Sequence, residues 1–249
     1  MVMSDLINIV LLSLLGGTVA LVGGFIFLFN KKWSRVLTKY SIPFAAGVLI
    51  TVSLIGLLPE VVHEIGERGF LIVLITFFGA YLFEQFACEL HHHDHDHGEG
   101  DGCSTSIPLV IVGDTLHNFI DGVAIAASYL VSPGLGLVAA MSTLLHEVPH
   151  EIGDFGILLK AGWKKRKILM VNLLSSLFTV VGALMVYFMN LDRAVVGNLL
   201  AVAAGMFLYL GASDFLPHAS EGSSKKKTVL VLLLGVLVMY ATLNVVPHH

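Results

Sequence analysis

Residues 45–60 read "AAGVLITVSLIGLLPE" and residues 203–218 read "AAGMFLYLGASDFLPH". Each opens on Ala-Ala-Gly and closes on Leu-Pro, and Gly47 stands as far from Pro59 as Gly205 does from Pro217. Between these markers the residues are almost all apolar, as a helix in hydrocarbon requires. Ala, Gly and Leu are common in membrane helices, which accounts for part of the likeness. The matched glycine-to-proline spacing is read here as an internal repeat.

The rest of the chain shares the membrane character. It is 56% hydrophobic and 13% charged over 249 residues, with a mean hydropathy of +0.85. An average soluble chain is about 25% charged. Eight stretches are long enough to cross a bilayer as helices, at about 6–29, 41–62, 69–90, 107–131, 136–158, 168–189, 194–217 and 228–246. Short alternating segments of the β-barrel kind are absent. The expected fold class is an all-α polytopic membrane protein. It forms a single transmembrane domain over 1–249, with a His/Asp-rich loop at 91–106. The first apolar run has no basic stretch before it and reads as a retained span. Cys88 and Cys103 make no disulfide framework, and both fall where free thiols are expected.

The basic residues set the expected orientation. Lys31, Lys32, Arg35 and Lys39 follow span 1; Lys160 and Lys164–Lys167 follow span 5; Lys225–Lys227 follow span 7. With eight spans these three groups share one side, and only Arg68 and Arg193 lie opposite. The basic side is cytoplasmic by the positive-inside rule, which puts both termini outside. Span 2 then runs outward and span 7 inward, so the repeat is inverted, a transporter plan. The expected arrangement is 3+2+3, with spans 1–3 and 6–8 as halves around spans 4 and 5. The expected location is a cell (plasma or inner) membrane, with lipid as partner and no nucleic acid.

Seven acidic residues lie more than two residues inside a span: Glu84, Asp114, Asp121, Glu147, Glu151, Asp154 and Asp214. No Lys or Arg lies deep in any span to pair with them. A carboxylate in hydrocarbon needs a partner or a proton. The missing partner is most simply a bound cation or a transported proton. Span 4 carries Asp114, His117, Asn118 and Asp121 at helical spacing on one face. Span 5 carries His146, His150 and Asp154 in one row, with Glu147 and Glu151 in the next. His117 and His146 each lie ten residues from the start of their spans, about 15 Å deep. The two clusters are thus placed to meet near the midplane. Imidazole and carboxylate without thiolate suit Zn²⁺, Fe²⁺, Mn²⁺ or similar ions. His117, Asp121, His146 and His150 are candidates for one near-tetrahedral site. Asn118, Glu147 and Glu151 could build a second, with Asp121 or His150 bridging. Pro149 removes a helix hydrogen bond at the centre and is expected to kink span 5 and widen the site.

"HEVPH" is also a formal H-E-x-x-H, the zinc metalloprotease pattern. Against that enzyme reading, the proline bends the helix that should hold both histidines, and the second cluster and the repeat go unexplained. A metal-sensing or proton-conducting membrane protein is a third reading of the same residues.

At "HNFIDG" (His117–Gly122) and "HEVPHEIGD" (His146–Asp154) the chain resembles the ZIP (Zrt/Irt-like protein) family of divalent-metal transporters, in particular the subfamily with the HExPHExGD signature. The resemblance implies uptake of zinc, or of Fe²⁺, Mn²⁺ or Cd²⁺, into the cytoplasm. It implies a binuclear centre between spans 4 and 5, in which His117, Asp121, His146 and His150 match the first position. Asn118, Asp121, Glu147 and His150 match the second, with Glu151 close by. It further implies alternating access, a homodimer and no enzymatic activity. The long extracellular N-terminal domain of many animal members is expected to be missing. Some bacterial relatives have a glutamate at the place of His150 and an acid or amide at that of His146, which changes the site charge.

Two flanking groups are read as path residues: Glu60, His63 and Glu64 at the outer end of span 2 for entry, and Asp214, His218 and Glu221 at the inner end of span 7 for exit. Ordinary interfacial polarity explains them equally well. The loop histidines His91, His92, His93, His95 and His97 read as a weak cytoplasmic metal collector.

Overall fold

The computed structural model describes residues 3–89, 107–219 and 224–247. The loop histidines, Cys103 and Glu221 lie outside the described residues. Eight helical rods follow in order: α1 (Met3–Phe29), α2 (Lys31–Ile65), α3 (Arg68–Glu89), α4 (Ile107–Val131), α5 (Pro133–Lys160), α6 (Lys165–Phe188), α7 (Arg193–His218) and α8 (Lys225–Val245). Seven of them are long and apolar enough to cross a membrane. The eighth, α5, has 28 residues and is the helix that carries HEVPHEIGD. Its length, about 42 Å, suffices for a crossing; its polar cluster lowers its hydropathy.

Helices begin earlier than hydropathy indicates. Lys31 to Lys39 are the opening turns of α2, started by Asn30, whose side chain accepts from the amides of Lys32 at 3.1 Å and Trp33 at 3.2 Å. The basic residues at 165–167 and 225–227 likewise open α6 and α8. An apolar run reports where hydrocarbon is, whereas a cap fixes where the helix starts.

The packing carries the repeat. α2 lies against α8 and α7 against α3; α1 lies against α5 and α6 against α4. Exchanging α1–α3 with α6–α8, and α4 with α5, maps this set of contacts onto itself. α2 and α7 are central, each with 61% of its apolar window buried, against 6% for α3 at the perimeter. There Leu71, Leu74, Ile75 and Leu82 face outward. Small residues set the close contacts, as expected between helices in lipid. A Cβ on Gly122 would overlap the Thr179 carbonyl oxygen, and one on Gly182 that of Phe119, so α4 and α6 touch backbone to backbone. Gly47 and Gly235 make the matching α2–α8 contact, and Gly205 lies against α3 at Val73 and Thr76.

Irregular backbone is placed symmetrically. Six-residue π-helical segments interrupt α2 at Val52–Leu57 and α7 at Leu210–Phe215. The Leu58 amide donates to the Ser53 carbonyl and the Leu216 amide to that of Gly211, a span of five residues. Pro59 and Pro217 follow at once. A proline ring collides with the carbonyl four residues back in an α-helix, and the wider π turn relieves that conflict. α5, in contrast, stays helical through Pro149. Departures from α-helical hydrogen bonding occur in two other helices, α2 and α7. α1 has its own break, a 3₁₀ turn at Thr18–Ala20 after Gly16-Gly17.

Gly122→Val should prevent close approach of α4 and α6. Overpacking costs about 1–3 kcal/mol or more, so a clear loss of melting temperature and of monodisperse protein is expected. Gly79→Ala, where an added Cβ meets nothing within 4 Å, should leave both unchanged; size-exclusion chromatography and a thermal melt check this.

Candidate metal centre

α4 and α5 are antiparallel neighbours, and their polar stripes face each other. The Ser132 side chain caps α5 by accepting from the Leu135 amide at 3.2 Å, directly after α4 ends at Val131. This tight turn fixes the relative depth of the two stripes. His117, Asp121, His146 and Glu147 present ligand atoms that all lie within 4.8 Å of one another. His146 Nε2 is 3.2 Å from Asp121 Oδ2; His117 Nε2 is 3.3 Å from Glu147 Oε2 and 3.7 Å from Asp121 Oδ2. Donors about 2.1 Å from a tetrahedral zinc ion stand about 3.4 Å apart, so these spacings suit a shared divalent ion. Asp121, His146 and Glu147 are fully buried.

The donor atoms lack hydrogen-bond partners among the described residues. Among the described residues, nothing hydrogen-bonds either oxygen of Asp121, Glu147 and Glu151 or the buried Nε2 atoms of His117, His146 and His150. The ion-pair neighbours of Asp121 and Glu147 are histidines, not lysine or arginine. The tautomer of His146 sharpens the point. Its Nδ1 lies 2.9 Å from the Ser142 carbonyl oxygen, which can only accept, so Nδ1 carries hydrogen. In the neutral ring Nε2 then presents a lone pair to a carboxylate oxygen, an arrangement that calls for a cation between them.

His150 and Glu151 extend the cluster toward the C-terminal end of α5. The His150 ring centroid is 4.4 Å from that of His117 and 5.0 Å from that of Phe215 in the α7 π segment. Phe207 lies 5.3 Å from His146. These two phenylalanines walling the site on the α7 side escaped the sequence reading, because an apolar residue in a membrane helix looks like lipid contact. Asn118 is turned toward α6 and bound by Asp114 and Thr179. Asp154 is partly buried, two turns beyond His146.

The flanking groups are separate from this cluster. Glu64 is partly buried and lies 3.9 Å from the exposed Arg193 and 3.6 Å from His63. It lines a cavity of about 230 Å³ with Leu130, Val131, Asn190, Leu191 and Val196. Glu60 lies one turn before Glu64 on the same helix. At the other end of α7, His218 Nδ1 is 2.7 Å from the Asp214 carbonyl oxygen. Nearby, Tyr209 donates to Glu84 of α3.

Residues 87–242 match the family model described as ZIP Zinc transporter. The chain belongs to the ZIP family. Among curated ZIP relatives, Zinc transporter zipt-7.2 of Caenorhabditis elegans is 36% identical over 53% of this chain and 30% of its own length. Zinc transporter foi of Drosophila melanogaster is 35% identical over 52% of this chain and 18% of its own. Zinc transporter ZIP4 of Homo sapiens is 36% identical over 51% and 20%. The matched region thus spans less than a third of each of these relatives. Both motif helices of the site, α4 and α5, fall inside the ZIP match.

Asp121→Ala removes the oxygen that both His117 and His146 approach. Loss of a second-shell partner costs about 10–100-fold in metal affinity, so loss of a direct ligand should cost at least about 100-fold. Zn²⁺ titration calorimetry on purified protein checks this, with His218→Ala expected to bind as the parent does.

Proposed function

We propose that this chain carries a divalent transition metal, zinc first among the candidates, into the cytoplasm through the cluster between α4 and α5 by alternating access. The single observation behind this reading is the set of buried donors contributed by two facing helices, without hydrogen-bond partners among the described residues and at spacings that suit one divalent ion. Desolvating three carboxylates without a cation is strongly unfavourable, so a site of this make-up is built for an ion that comes and goes. The names of these relatives, zinc transporters all, support zinc as the substrate. Fe²⁺, Mn²⁺ and Cd²⁺ suit the same donors.

In this reading His117, Asp121, His146 and Glu147 hold the first ion. His150, Glu151 and Asn118 serve a second position, and Asp114 and Asp154 continue the path inward. Glu60, His63 and Glu64 form the entry, and Asp214 and His218 the exit. The basic helix starts of α2, α6 and α8 face the cytoplasm, both termini face outward, and the working unit is a homodimer in a cell membrane. The loop histidines collect metal on the cytoplasmic side. The protease reading is weaker, because the glutamate of H-E-x-x-H, which should act as a base, sits among the ligand atoms with its carboxylate 3.3 Å from His117.

Proteoliposomes holding purified protein alone should accumulate Zn²⁺ down its gradient, and His150→Ala should abolish the uptake. Metal that binds but never crosses would return the sensor or the protease. In the same assay Glu60→Ala combined with His63→Ala should raise the apparent KM; an unmoved KM removes the entry role. Single cysteines near Met3 and at Arg166, tested in intact cells with a membrane-impermeant thiol reagent, should label at the first position only.

A further inference from the structure

Asn118 is among the residues expected to hold a second ion, and its side chain is fully engaged elsewhere. The amide nitrogen donates to the Asp114 carbonyl oxygen at 3.1 Å and to Asp114 Oδ1 at 2.9 Å. Oδ1 accepts from Thr179 Oγ1 of α6 at 2.9 Å. Chemistry fixes which end of the amide is which. A main-chain carbonyl has no proton to give, so the group facing it must be the NH₂. Oδ1 therefore faces Thr179, and the hydroxyl must donate.

Thr179 has little freedom to do otherwise. It is fully buried, and its β-branched side chain has few rotamers in a helix. The backbone of α1 passes at Gly17, where a Cβ would come within 2.5 Å of Thr179 Oγ1. On its third side its own carbonyl touches Gly122 of α4. The hydroxyl is thus walled in by α1 and α4 and aimed at Asn118.

We infer that Thr179 is a positioning residue that sets how readily a second metal ion binds, by occupying Asn118 Oδ1 when that position is empty. The inference rests on reading the His117–Asp121–His146–Glu147 cluster as the first ion position. Its sign follows from the hydrogen bonds. The NH₂ of Asn118 is held by Asp114 whether or not Thr179 is present, so Thr179 is not needed to aim the amide. What the hydroxyl adds is a partner for Oδ1 in the absence of an ion. Oδ1 has a second lone pair, and a cation that uses it meets an oxygen whose charge the hydroxyl hydrogen already draws on. Removing the hydroxyl leaves a buried acceptor without a donor, a condition a cation relieves. The second ion should therefore bind more tightly, by roughly 2–10-fold for one neutral hydrogen bond.

The test uses the full chain in detergent, titrated with Zn²⁺ and followed by calorimetry and by metal content after gel filtration. Thr179→Val keeps the shape and removes the donor; Thr179→Ser keeps the donor. Thr179→Val should tighten the second binding step by roughly 2–10-fold with the first step unmoved, and Thr179→Ser should bind as the parent does. Thr179→Ala removes the same hydroxyl with less bulk and must shift the second step the same way, which separates the hydrogen bond from a packing defect. In an Asn118→Ala background, Thr179→Val should change nothing. A parent that takes up one ion and a Thr179→Val variant that takes up two is the same result in stronger form. A second step unchanged or weakened in both Val and Ala variants, or one ion in all of them, overturns the inference. If Asp121→Ala leaves the parent titration intact, the failure lies in the assignment of the first position.

Discussion

Desolvation of charge governs this molecule. Asp121, Glu147 and Glu151 are withdrawn from water, and among the described residues no lysine or arginine pairs with the first two. Such groups are tolerated in a membrane helix only where they face a protein interior and meet a partner of opposite charge. Much of the architecture can be understood as meeting that condition. The site lies on α4 and α5, the two helices that the repeat leaves in the middle. α2 and α7 shield it, and aromatic rings from α7 close one wall. The carbonyl of Ser142 fixes one imidazole so that its free nitrogen looks inward.

The inverted symmetry places these parts without requiring sequence identity between the halves. α2 and α7 share a glycine for close approach, a π segment and a Leu-Pro at constant offset, and few other residues. A shared backbone path is what the symmetry conserves. Side chains are free to differ, which is why one copy ends in Glu60, His63 and Glu64 and the other in Asp214 and His218.

The fold and the centre of the site were legible because each rests on a periodic signal. Apolar runs of bilayer length mark rods, and polar residues at helical spacing inside two such runs mark a pair of facing stripes. Features set by a single contact were not legible. The start of α2 depends on the Asn30 cap, ten residues ahead of the apolar run. Phe207 and Phe215 look like any lipid-facing residue until α7 is placed. The engagement of Asn118 with Thr179 joins residues 61 positions apart, and no pattern in the chain announces it. Pro149 drew attention as the proline nearest the ligands, yet the backbone departs from α-helix before Pro59 and Pro217. The difference lies in the backbone: Leu58 and Leu216 find carbonyls five residues back, whereas α5 is α-helical from Pro133 to Lys160 with Pro149 inside it.

The π segments have a geometric effect that reaches past their six residues. A π turn accommodates about one extra residue, so the helix beyond it is rotated by roughly 100° relative to an unbroken α-helix. The part of α2 before the bulge packs on α5, α8 and α7; the part after it, Leu58–Ile65, packs on α7 and α3. The rod thereby keeps α7 as a neighbour on both sides of the bulge while exchanging α5 and α8 for α3. The bulge acts as a phase shifter, and a one-residue deletion within it would turn every later side chain of α2 to a wrong neighbour while leaving the sequence of its apolar face untouched.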